Sequence, residues 1–100
     1  MAGYKLTQKA TDDLDTIYEY TTVNFGLEQA RGYLTGLHER FEELATRPAL
    51  GRNAEPLAPG LRRYPYRSHV VFYVSEDESV LIVRVLHESM DPPRHFVLDS

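Results

Sequence analysis

In the first half of the chain apolar side chains recur every three or four positions, and in the second half they gather into short runs. The first pattern belongs to helices with one buried face and the second to strands. Ala10, Leu14, Ile17, Tyr18, Thr21 and Phe25 form one stripe, which predicts a helix burying Leu14, Ile17, Tyr18 and Phe25. Thr7 can cap its start, Asp12, Asp13 and Asp15 suit the positive end of its dipole, and Gly26 can stop it. A second stripe runs Ala30, Tyr33, Leu34, Leu37, Phe41, Leu44, Ala45 and is ended by Pro48. So short a connection makes the two helices an antiparallel hairpin. Gly32 and Gly36 fall inside the second helix at about 1 kcal/mol each relative to Ala, which close packing against another backbone would explain.

Tyr4-Lys5-Leu6-Thr7 alternates and reads as a first strand, whereas residues 48–60, rich in Pro and Gly, read as a loop. Three further strands are predicted at Leu61–Tyr64, Val70–Val74 and Val80–Leu86, the last two joined by the polar turn Ser75–Ser79. The order β-α-α-β-β-β gives an α+β fold, a helical hairpin packed on one face of a small, largely antiparallel sheet. Simple alternation places Val80, Ile82, Arg84 and Leu86 on one face of the last strand and Leu81, Val83 and Val85 on the other. The helices can cover only one of these faces. The other is expected to meet a partner, or to be covered by the tail from His87 to Ser100 folding back.

Composition narrows the class. A chain of 100 residues with 42% hydrophobic positions and a net charge of -4 is one folded domain, residues 1–100. It has no cysteine, which excludes disulfides and thiolate chemistry and fits a reducing cytoplasm. No basic-then-apolar leader opens it, and its longest apolar run, Val80–Leu86, is interrupted by Arg84, so neither secretion nor membrane spanning is expected. Charge is unevenly spread. Arg47, Arg52, Arg62, Arg63 and Arg67 stand against only Glu55 in residues 47–75, while the segments on either side are acidic. An acidic total argues against general nucleic-acid binding, but the arginine cluster leaves room for a local anionic contact.

His38, His69, His87 and His95 lack the helical pairing of a zinc hydrolase, and no phosphate-binding glycine loop or serine nucleophile elbow is present. Neither a metal nor a cofactor is expected. One constellation remains: Arg62, Arg63, His69, Tyr73, Arg84 and His87, on or beside the C-terminal strands, combine phosphate-binding and proton-moving side chains. The alternative is structural, with Arg84 paired to an acid and His87 at a strand end.

Several short motifs together resemble the ParE toxins of the RelE/ParE superfamily. They are Ala10-x-x-Asp13-Leu14-x-x-Ile17-x-x-Tyr20, Phe25-Gly26 with Gln29-Ala30, Leu44-Ala45-x-x-Pro48-x-x-Gly51-Arg52 and Gly60-Leu61-Arg62. His69-Val70-Val71-Phe72-Tyr73 and Val83-Arg84-Val85-Leu86-His87-x-x-Met90-Asp91 complete the set. The resemblance implies a bacterial type II toxin, neutralised by a ParD-like antitoxin and inhibiting DNA gyrase, with operator DNA reached only through the antitoxin. On this reading Arg84, His87, Met90, Asp91 and Arg94 contact the target, and Arg52, Arg62, Arg63, Ile82 and Leu86 contact the antitoxin. RelE-like ribonucleases of the same superfamily supply the alternative, an endoribonuclease using Arg62, Tyr73, Arg84 and His87. Those enzymes often carry an Arg shortly before the strand tyrosine, where this chain has Val70, and this departure favours the ParE branch.

Overall fold

Thr7 ends the first strand and starts the first helix with one side chain. Its hydroxyl accepts from the Ala10 amide at 3.0 Å and donates to the Val83 carbonyl at 2.7 Å, pinning the helix start to the last strand. The computed structural model describes residues 3–96. In chain order these form β1 (Gly3–Leu6), α1 (Gln8–Phe25), α2 (Leu27–Thr46), a 3-10 turn (Pro48–Leu50) and β2 (Arg52–Asn53). They continue with β3 (Leu61–Tyr66), β4 (His69–Ser75), β5 (Ser79–His87) and a short α3 (Pro92–His95). Gly26, at φ 95°, adopts a backbone conformation that L side chains rarely reach, and α1 turns there directly into α2. Close packing accounts for Gly36, since a Cβ there would collide with the Tyr66 hydroxyl, so the neighbour is a side chain; Gly32 faces open space.

The sheet order is β1-β5-β4-β3-β2, with β1 parallel to β5 and every other pair antiparallel. The predicted α+β fold is therefore present, with the short strand β2 added at one edge. The helices bury Ala10, Leu14, Ile17, Leu37, Phe41 and Leu44 against Val71, Tyr73, Val80, Ile82 and Val85. Two expected core residues of α1 fail: Tyr18 is exposed and Phe25 is 65% exposed. Phe25 lies in the last turn, past the last buried position Thr21, and Tyr18 sits beside the buried stripe of Leu14, Ile17 and Thr21.

Alternation along β5 is broken by a bulge. Tyr73 pairs with Ile82 but Phe72 pairs with Arg84, which leaves Val83 as the extra residue. A single extra residue exchanges the faces of everything after it. Val80 and Ile82 face the helices, and so does Val85, while Val83 and Leu86 join the opposite face. That face is covered within the chain: Ala54, Leu61, Phe72 and Leu86 form a second cluster under Leu57, Ala58 and Phe96. The Phe72 and Phe96 rings lie 5.0 Å apart, so the tail does fold back at least to Phe96. The expected open apolar face is thus corrected, and its tail beyond Phe96 lies outside the described residues.

Candidate functional site

The outer edge of β5 is shared by two elements. β1 pairs with it only as far as Ile82, and beyond that point α1 lies alongside. Asp13, one turn and a half into α1, closes this stretch: its carboxylate accepts from the Val85 amide at 2.9 Å and from Arg84 Nε at 2.8 Å and Nη2 at 2.9 Å. The hydrogen bonds to Asp13 push the Arg84 guanidinium above its ordinary value. Past this plug, α1 and the end of the sheet part to leave a groove of about 500 Å³. Its helical wall is Thr16, Ile17, Tyr20 and Thr21, and its floor and far wall are His69, Val85, His87 and Met90.

The floor is polar and ordered. His69 and His87 are directly opposed in the β4–β5 register, their rings 5.2 Å apart and nearly perpendicular. Tyr33 Oη lies 2.7 Å from His69 Nδ1, and Ser89 Oγ lies 2.7 Å from His87 Nδ1. Burial, with a smaller contribution from His87, lowers the His69 pKa to about 4. The walls are apolar and continue out of the groove: Met90 is 44% exposed, Tyr20 63% and Val23 84%, with Leu27 exposed beyond them. Large apolar side chains left in water beside a groove are the kind of surface that meets a partner.

The other predicted site residues are placed as follows. Arg62 and Arg63, adjacent in sequence, point to opposite faces of β3, as neighbours on a strand must. Arg63 pairs across the sheet with Arg52, and its guanidinium stacks 5.6 Å from the centre of the Phe72 ring. Arg62 instead donates to the Gly51 carbonyl at 2.7 Å, a structural role. Ile82 and Leu86, expected as antitoxin anchors, are not open to a partner in this structure: the bulge sends them to opposite faces, where one is fully buried under the helices and the other is 1% exposed. Tyr73 is fully buried, its hydroxyl donating to the Pro48 carbonyl at 2.6 Å and accepting from the Gly51 amide at 2.8 Å. Burial raises its pKa, which further disfavours proton transfer. Of the five target-contact candidates, His87 and Met90 share the groove, Arg84 is committed to Asp13, and Asp91 and Arg94 are exposed on α3 and its approach.

The ribonuclease set is therefore dispersed. Tyr73 and Arg62 are register neighbours, but His87 pairs with His69, four residues along β4 from Tyr73, which is about 13 Å at the usual strand rise. Tyr20, on the helical wall, stands outside the expected site, and His69, in the expected constellation but in neither contact set, is the register partner of His87. The signal for His69 was its register with His87, which a bulge hides from any count of residues.

Residues 4–92 match the family described as "ParE toxin of type II toxin-antitoxin system, parDE". This chain belongs to the ParE toxin family. It is 41% identical over 95 residues to Toxin ParE1 of Caulobacter vibrioides, covering 95% of this chain and 98% of that one. Toxin ParE1 of Mycobacterium tuberculosis is 34% identical over 93 residues, 92% of this chain and 95% of the relative. Among solved structures, one described as "Chromosomal ParDE TA system from P. aeruginosa" matches with a TM-score of 0.75 at 26% identity, covering 87% of this chain and 96% of that one. The ParE match spans both walls of the groove, from Thr16 on α1 to Met90 after β5. Among the described residues no helix is long and apolar enough to cross a membrane.

Proposed function

We propose that this ParE-family chain is the toxin of a type II pair, that a ParD-like antitoxin neutralises it by covering the groove, and that it inhibits DNA gyrase by binding. The observation that carries the antitoxin reading is the groove between Tyr20 and Met90, both exposed, with Val23 exposed further along α1 and Leu27 at the start of α2. An amphipathic antitoxin segment laid along it would cover Tyr20 and Met90 and seat one side chain in the groove between them. The likeness to a solved ParDE system supports the pairing. Arg52 and Arg63, like charges directly opposed across two strands, favour acidic side chains on the same partner. Operator DNA is then reached through the antitoxin, and gyrase, inferred from the family resemblance, places the chain in the cytoplasm.

A mechanism without bond chemistry is favoured by how the nuclease candidates are used. Tyr73 ties the 3-10 turn to the sheet, Arg62 holds Gly51, and Arg84 is neutralised by Asp13. None of the three is free to hold phosphate or move a proton beside His87. Expression alone should arrest growth, and co-expression with the protein encoded immediately upstream should restore it. Tyr20→Asp or Met90→Asp should weaken antitoxin binding by about 10- to 100-fold, as expected for a charge placed in an apolar anchor position. A chain that is harmless alone and binds no upstream product would end this reading.

A further inference from the structure

We propose that His69 and His87 bind a transition-metal ion of the imidazole-preferring class (zinc, nickel or copper) at the floor of the groove. The two side chains come from adjacent strands in direct register, so the sheet itself fixes their separation. Two imidazoles bound through Nε2 to one tetrahedral ion, at about 2.0–2.1 Å each, hold their ring centres about 5 Å apart. The His69 and His87 ring centres are 5.2 Å apart. Their planes stand at 87°, an arrangement that rotation about the metal–nitrogen bonds permits.

A ligating imidazole generally donates its other N–H to a neighbour, which fixes ring orientation. Here each Nδ1 meets a hydroxyl, from Tyr33 at 2.7 Å and from Ser89 at 2.7 Å. Neither Nε2 has a hydrogen-bond partner among the described residues. For His87 metal binding selects the tautomer that donates from Nδ1 to Ser89 Oγ, in exchange for the bond it now accepts from the Ser89 amide at 3.0 Å.

Among the described residues no cluster of three or more His, Cys, Asp and Glu side chains is arranged for a metal. The protein therefore supplies two imidazole nitrogens, and water fills the remaining positions. Such a donor set excludes magnesium and calcium, which require oxygen. The proposal stands independently of the toxin reading, because metal uptake is measured on the chain alone.

The test is calorimetric titration of Zn2+ into the purified, untagged chain, with Mg2+ as control and the histidine ring signals followed by NMR. One Zn2+ per chain, no response to Mg2+, and shifts confined to His69 and His87 are expected. His87→Ala, at a half-buried position near the strand end, should keep the fold by circular dichroism and weaken Zn2+ binding at least tenfold. His69→Gln should do the same, and His38→Ala should leave binding unchanged. Undiminished binding in folded His87→Ala, shifts centred on His38 or His95, or no saturable uptake would overturn the proposal and leave an edge-to-face ring contact only.

Discussion

Asp13 and Arg84, 71 residues apart in sequence, form a two-pronged ion pair in which the same carboxylate also accepts the Val85 amide. Both side chains are 15% exposed, so the pair is largely shielded from water. It joins α1 to the part of β5 that β1 does not reach. Removing one partner strands a buried charge, and Asp13→Ala orphans the Val85 amide as well. Asp13→Ala is expected to destabilise the chain by about 3–5 kcal/mol. Urea unfolding of Asp13→Ala, Arg84→Ala and the double variant should show a second substitution costing much less than the first.

Tyr73→Phe removes one oxygen and leaves the Pro48 carbonyl and the Gly51 amide without it. Unsatisfied buried polar groups of this kind cost about 1–3 kcal/mol each, so a loss in that range or somewhat above it is expected in chemical denaturation. Growth arrest by folded Tyr73→Phe should persist, because the hydroxyl is assigned to structure. Loss of toxicity in a variant that still folds would return Tyr73 to the list of acting residues.

The two helical stripes divide into positions that matter for packing and positions that do not. Leu37→Ala or Phe41→Ala, both fully buried, should cost about 2–5 kcal/mol. Phe25→Ala, at the exposed end of α1, should stay within about 0.5 kcal/mol. Thermal or urea midpoints of the three variants check the contrast directly.

The helices, their caps and the order of strands were legible because each rests on local chemistry: Thr7 at an N-terminus, Gly26 at a reversal, Pro48 at an end. What the sequence hid depends on long-range register. The bulge at Val83 swaps the faces of Arg84, Val85 and Leu86, so alternation misplaced the apolar anchors. Arg52 sits in a two-residue strand too short to carry a pattern, yet it is the cross-strand neighbour of Arg63. Arg84 and His87 were correctly read as belonging to one end of the last strand, but only the register with His69 and the reach of Asp13 separate a committed side chain from one lining a groove.

His69 gives the fold a pH dependence with a definite sign. Its folded-state pKa, lowered to about 4, lies below the value of about 6.5 for an exposed imidazole. Between those values the unfolded chain binds more protons than the folded one, so stability falls as pH falls through that window. The contribution is fully present above about pH 6.5 and gone near pH 4. His69→Gln should unfold at nearly constant denaturant concentration across the window apart from the common effect of the carboxylates, whereas the parent chain should lose stability more steeply.

Gyrase inhibition by binding is the central claim, and a supercoiling assay run beside an RNA-integrity assay tests it most directly. Purified chain added to gyrase and relaxed plasmid should block supercoiling or trap broken DNA, a ParD-like antitoxin should reverse the effect, and transcripts in a parallel translation reaction should stay intact. Transcript cleavage that disappears in His87→Ala, with supercoiling untouched, would contradict the account.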